Sequence, residues 1–330
     1  MRNDMPILLL GAGFSRNWGG WLASDFVGEL CGRLVDRPHL NEMLRVSNNF
    51  EAVLGARRVT VAREPDNVQA AVDVTHLESA ILDTFRDMNS SLADQVNINF
   101  SQEAKCSTRR FLSRFDAIFT LNQDLLFELH YDGMYLESDG RWRGGHYFPG
   151  VIPTYDWQSV RFNKDRIDLT LQVADAPSST GHDLQPIYKL HGSVNWRSSD
   201  GNNVLVIGTG KEEAISGSAL LRRYQEIFRE YLFHPTTRLM VIGYGFADRH
   251  INDLLCEASR NNNLQMYLIG PSGTDAFSAD TGPQEDGRNR LLKILLAGKC
   301  TRYMNEIFAD SDNPAFKSVE RFLAPAKIER

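Results

Sequence analysis

Four short segments carry residue types whose spacing suits chemistry. The first is Gly11-Ala12-Gly13-Phe14-Ser15. Glycine tolerates positive φ and lets the backbone approach a ligand closely. The amides of a glycine turn that opens a helix can cradle phosphate. The full fingerprint G-x-G-x-x-G lacks its third glycine here, because position 16 is arginine. A tight strand-to-helix turn without a ligand is the alternative. The second segment holds Asn122 and Asp124, two apart after an apolar run. In extended chain such residues point to the same side. An amide that donates and accepts, beside a carboxylate that accepts, can hold sugar hydroxyls or orient a water. Capping of the helix that starts near Leu125 is the alternative for Asp124. The third is His191, set between an apolar run and Gly192. Histidine titrates near neutral pH and suits proton transfer; a structural histidine is the alternative. His130 falls in a helical pattern, and His146, His182 and His234 fall in polar loops. The fourth segment, Gly243-Tyr244-Gly245-Phe246-Ala247-Asp248, is a second glycine turn.

Each segment follows a run that reads as a buried strand. These runs lie at 7–10, 117–120, 187–190 and 239–242, with two more at 204–207 and 265–269. Short all-apolar runs are the pattern of strands buried on both faces in parallel sheets. Helical periodicity dominates 22–115, with Asp25 as a possible N-cap, and returns at 125–129, 218–232 and 251–258. A last long helix is expected at 288–296. Residues 131–186 are rich in aromatics, glycine, proline and aspartate, with weak periodicity, and read as an irregular lobe. Alternating strands and helices predict an α/β fold, a doubly wound, mostly parallel sheet with a helical insertion or layer. We expect one domain over 1–330, with the core at about 5–20 and 112–300 and the insertion at about 22–112. In such sheets ligands sit beyond the carboxyl ends of the strands, near the switch in strand order. The four chemical segments all fall there.

Composition narrows the classes. The 330 residues carry a net charge of −6. A protein that grips phosphate backbones carries a basic balance, so direct nucleic-acid binding is a poor expectation. The four cysteines form no C-x-x-C pair, which argues against a structural zinc ribbon and a disulfide framework. A reduced, cytoplasmic setting fits. The N-terminal apolar run is too short for a signal segment, and no stretch reaches the roughly 20 apolar residues of a membrane span.

In order along the chain, GAGFS, TLNQD, KLHGSVNW, VIGYGFADRHIND and YLIGPS resemble the SIR2 family over about residues 7–272. More narrowly, the sequence resembles the zinc-free SIR2-like NADase domains of bacterial anti-phage defence systems. The resemblance implies a Rossmann-like core that takes NAD as substrate. It assigns Gly11, Ala12, Gly13, Phe14 and Ser15 to the first phosphate turn. Asp25, with Phe26, resembles an Asp-Phe pair beyond that turn, although Ser24 stands where the family has proline. Asn122 and Asp124 match residues beside the nicotinamide ribose, and His191 matches the catalytic histidine. Gly243, Tyr244 and Gly245 resemble the turn near the adenosine half, with Gly245 replacing the usual serine. Asn122 and His191 are therefore the expected catalytic pair. Protein-deacylating relatives carry two cysteine pairs around zinc, which this sequence lacks, so we expect no zinc. The implied activity is hydrolysis of NAD to nicotinamide and ADP-ribose, as the NAD-depleting step of abortive infection. Deacylation, ADP-ribosyl transfer and non-catalytic binding of NAD or ADP-ribose remain as alternatives. A redox dehydrogenase fits less well, since neither a substrate domain nor a complete fingerprint is present. About 60 residues follow Ser272 without an evident sensor domain. Control is thus expected from homo-oligomerisation, from a separate partner such as a HerA-like ATPase, or from both.

Overall fold

In a computed structural model of the chain, which describes residues 4–100, 103–131, 142, 145–154, 163–174, 184–277, 291 and 293–324, the run at 7–10 is buried on both faces. It belongs to strand β1 (Met5–Leu10), followed by β2 (Ala117–Thr120), β3 (His146–Tyr147), β4 (Val151–Pro153) and β5 (Leu171–Val173). Next come β6 (Gln185–Lys189), β7 (Gly192–Arg197), β8 (Asn203–Leu205), β9 (Thr237–Ile242), β10 (Gln265–Ile269) and β11 (Leu295–Cys300). The main sheet has seven strands in the order β11-β10-β9-β1-β2-β6-β3. All of its pairings are parallel. The chain leaves β1 in one direction to β2 and β6, and later returns to the other side for β9, β10 and β11. The strand order therefore switches between β1 and β9. This is the Rossmann-like α/β arrangement that the alternating pattern predicts.

Register brings the chemical segments to one level. Leu10 pairs with Thr120 on one side and with Ile242 on the other. Thr120 pairs in turn with Lys189, and Ile242 with Ile269. The loops opened by Gly11, Leu121, Leu190, Gly243 and Gly270 thus leave one edge of the sheet together.

The long interval between β1 and β2 is helical. It holds the short α1 (Ala12–Ser15), then α2 (Ala23–Arg33), α3 (Pro38–Ser47), α4 (Phe50–Arg63), α5 (Val68–Ala93) and α6 (Thr108–Leu112). Local chemistry sets the starts: Asn49 Oδ1 accepts from the Ala52 amide and Asn67 Oδ1 from the Ala70 amide, and Pro38 opens α3. In α5 the buried side chains recur every three or four residues, from Ala70 through Leu77, Ile81 and Phe85 to Met88 and Leu92. Helices α2 to α5 close around their own apolar cluster, centred on Phe26, Phe50, Leu77 and Phe85. The sheet has a separate and larger cluster. The remaining helices are α7 (Leu126–His130), α8 (Lys211–Gly217), α9 (Ala219–Leu232), α10 (Arg249–Asn262), α11 (Met304–Ile307) and α12 (Pro314–Leu323).

Two expectations change. Leu295 and Leu296, read as the end of a helix, instead start the edge strand β11, which pairs parallel with β10. A short apolar run carries no period that separates strand from helix, and pairing decides it. Positions 288–290 and 292 of that expected helix, and His182, lie outside the described residues. The last helix is instead α12, capped by Asn313 Oδ1 on the Ala315 amide. Within 131–186, part of which lies outside the described residues, β3, β4 and β5 appear as strands of two or three residues. β4 and β5 join β7 and β8 in a second, four-stranded sheet.

Candidate active site

Gly11, Leu121, Gly243 and Gly270, with His191 from the fifth loop, border a cleft of about 1360 Å³. That exceeds the roughly 300–1,000 Å³ of drug-sized pockets, so an elongated ligand fits. Gly11, Ala12, Gly13, Asn122, Asp124, His191, Gly243, Tyr244 and Gly245 all line it. The facing wall comes from the helical layer and includes Trp21, Phe26, Phe50, Phe85 and Met88.

The two glycine turns interlock. The Gly13 amide donates to Gly243 O at 2.9 Å, and the Gly11 amide to Ile242 O at 3.0 Å. A Cβ on Gly13 would sit 2.7 Å from Gly243 Cα. Gly243 has φ +64, and a Cβ there would meet Phe14 N at 2.4 Å. Close backbone approach across the switch point explains both residues directly. By contrast, a Cβ on Gly245 would meet no atom within 4 Å, so this residue opens into space.

Three expected contacts do not line the cleft. Phe14 is fully buried and packs edge-on against Trp18 at 5.1 Å. Ser15 is buried and its hydroxyl accepts a hydrogen bond from Asn122. Asp25 does not border the cleft. Its carboxylate accepts from the Leu22 amide at 3.0 Å, closing the first turn of α2, and pairs with Arg16. Arg16, which stands where a third glycine would be, does line the cleft and brings a cation to the first turn.

Asn122 is tied tightly. Its Nδ2 donates to Gly11 O at 3.1 Å and to Ser15 Oγ at 3.0 Å, and its amide donates to Thr120 Oγ1. Both amide hydrogens therefore lock the loop after β2 onto the first glycine turn. That fixes the Oδ1 side as the acceptor face of the residue. Asp124 caps the next turn, its Oδ1 accepting from the Leu126 amide at 3.0 Å. Its carbonyl accepts from the Lys189 ammonium at 2.6 Å, which also pairs with Glu128 and donates to Ser193 Oγ. Lys189 and Glu128 are both buried, so this ion pair fastens the Asn122–Asp124 loop from beneath. Burial raises the Glu128 carboxyl, against the pull of Lys189.

His191 stands at the junction between the two sheets. Its carbonyl accepts from the Val206 amide at 2.9 Å. Gly192 follows with φ +72, where a Cβ would lie 2.0 Å from Val204 O, so the backbone can turn there only with glycine. The imidazole is 1% exposed, and its Nε2 lies 3.2 Å from Nε2 of His250. Burial lowers its pKa to about 3, with Asp248 opposing and Lys211 and His250 adding to the effect. The ring is therefore neutral at pH 7.

Sequence reasoning missed the charged cluster around it. Lys211 Nζ lies 2.8 Å from both Asp248 Oδ1 and Glu51 Oε2. Burial alone would raise the Asp248 carboxyl, but the Lys211 ammonium, hydrogen-bonded to it, outweighs that and holds it below the usual carboxylate range. Lys211 is raised despite burial, by Asp248 and Glu51. Asp248 and His250 follow Gly245 by three and five residues, farther than the two that separate Asn122 from β2, so a scan of polar residues beyond the second glycine turn could have found them. Glu51 and Lys211 carry no local signal, since folding alone brings them together. His191, Asp248 and His250 have donor atoms within 4.8 Å of one another, a spacing seen in metal sites.

A sequence model of the SIR2-like domain family matches residues 116–294. The match spans more than half of the chain and takes in Asn122, Asp124, His191 and the second glycine turn, but begins after the first turn and the helical layer. A search of curated proteins found no match.

Proposed function

The chain belongs to the SIR2-like family, and on that premise we propose that its cleft binds NAD and hydrolyses the nicotinamide–ribose bond to give nicotinamide and ADP-ribose. The observation that carries the reading is convergence: both glycine turns, Asn122 and a neutral, buried His191 meet in one cleft at the switch in strand order. The bond to be cut joins a cationic pyridinium to ribose and breaks through an oxocarbenium-like state. Neutral nicotinamide leaves, so no strong general acid is needed. Orientation and a positioned water provide the acceleration. The paired turns and the Arg16 guanidinium suit the diphosphate, and the aromatic wall of the helical layer suits a flat ring. Asn122 Oδ1 is held to receive a ribose hydroxyl or the attacking water, and His191 to accept the proton. Asp124 keeps this loop in place.

The resemblance to zinc-free defence proteins supports a role as the NAD-depleting effector of an anti-phage system. It likewise supports control by self-assembly or by a separate partner, with a HerA-like ATPase as one candidate.

Incubation of the purified protein with NAD, with and without co-purifying partners, tests the activity. Nicotinamide and ADP-ribose should appear in equal amounts without an acylated peptide. Release that requires such a peptide would make the protein a deacylase, and tight binding of NAD with no products would make it a binding subunit.

A further inference from the structure

The contact between His191 and His250 has no role in the reading above. His191 is buried, whereas His250 is only partly so and borders the cleft. Their Nε2 atoms face each other at 3.2 Å, with the ring planes 48° apart. Two facing N–H groups would clash and two facing lone pairs would repel. Such a contact therefore holds one proton, donated by one ring and accepted by the other. NAD hydrolysis, in turn, releases one proton per turnover, and His191 borders the cleft with only 1% of its surface exposed.

We propose that His250 is a positioning residue for His191: it fixes the tautomer and orientation of that ring and carries away the proton that His191 removes. This rests on the NAD-hydrolase reading. As the C1′–N bond of the substrate breaks, its electron pair leaves on the nicotinamide nitrogen and the water oxygen bonds to C1′. The water proton passes to the histidine pair, which becomes an imidazole–imidazolium, and His250, which borders the cleft, returns the proton to solvent. Asp248 faces both rings and favours the charged pair, while Lys211 opposes it. Glu212 and Asp253 face His250 and act with Asp248. Glu51 lies behind Lys211 and shares its charge. Without His250, the proton would have to rest on a ring that burial keeps neutral. Coupled rings titrate as a unit.

The test replaces His250 in the full chain with Gln and, separately, with Asn, each checked for an unchanged melting temperature. Both retain a polar contact but cannot take up a proton. Relative to wild type, kcat for nicotinamide release should fall by about 10- to 100-fold. KM for NAD should move less than about threefold, because His250 acts after binding. The acid limb of the kcat profile should shift to higher pH, because His250 no longer adds to the lowering of the His191 pKa. Imidazole nitrogen resonances, followed against pH without substrate, give a second reading: the His191 titration should move when His250 is replaced. Wild-type kcat and pH profile in folded variants would overturn the proposal, as would a His191 titration that ignores residue 250. If wild type cuts no NAD, the hydrolase reading fails, and the resonance titration still decides whether the pair exists.

Discussion

A buried histidine that stays neutral leaves a signature in stability as well as in rate. His191 has a folded pKa near 3 against an ordinary value of 6.5. As pH falls below about 6.5, the unfolded chain takes up a proton there and the folded one does not. The unfolded state then binds more protons, so stability is lost on acidification between about 6.5 and about 3. Asp248 works in the same direction lower down, since its depressed carboxyl gives stability that is lost as pH falls through 3.8 toward 2. Replacing His191 with Asn should flatten the fall in melting free energy between pH 6.5 and 5, by at most about 1.4 kcal/mol per pH unit. Denaturant melts at several pH values measure the slope, and identical slopes for the two proteins would contradict a neutral His191. The sequence pointed to His191 and Asn122 because each follows a buried strand. It was silent on Lys211 and Glu51, whose partners are remote in sequence and become neighbours only through folding.

At the scale of elements, the two glycine turns have opposite tolerances. Gly243 has left-handed backbone and touches Phe14 N, whereas Gly245 borders open space. Gly243→Ala should therefore destabilise the protein by about 2 kcal/mol or more, through strain and the forced separation of the turns. Gly245→Ser should change stability by less than about 0.5 kcal/mol. Thermal or denaturant melts of the two variants check the contrast, and equal costs would show that the turns do not interlock. Phe246, also left-handed at φ 55 and fully buried, marks the same loop as one held under constraint by its surroundings. The central strands were legible because burial on both faces leaves unbroken apolar runs. β11 was not, because it lies at the sheet edge with side chains that alternate between exposed and partly buried. β4 and β5 of the second sheet, three residues each, are too short to show any period. Asp25 was assigned by likeness to a ligand contact, and its carboxylate instead closes a helix turn and holds Arg16.

At the scale of the whole molecule, a helical layer with its own core covers one side of the cleft. The Lys211 ammonium bridges that layer, through Glu51, to the loop of Asp248. A layer joined to the reactive loop in this way can transmit an assembly event to the site. Our proposal that activity is controlled by self-assembly or a partner predicts low NAD turnover by isolated monomer and higher turnover in the assembled state. Light scattering coupled to an activity assay checks this, and a monomer with full activity would contradict it. The net charge of −6 fits a small-molecule substrate better than a nucleic-acid surface. Among the described residues, no helix is long and apolar enough to cross a membrane. The central claim is that NAD is cut in the cleft where Asn122 and His191 meet. Its most direct test is nicotinamide release by wild type beside Asn122→Ala and His191→Ala, each with its fold confirmed by melting. We predict release by wild type and a loss of at least about 100-fold in both variants; full turnover by either folded variant would contradict the account.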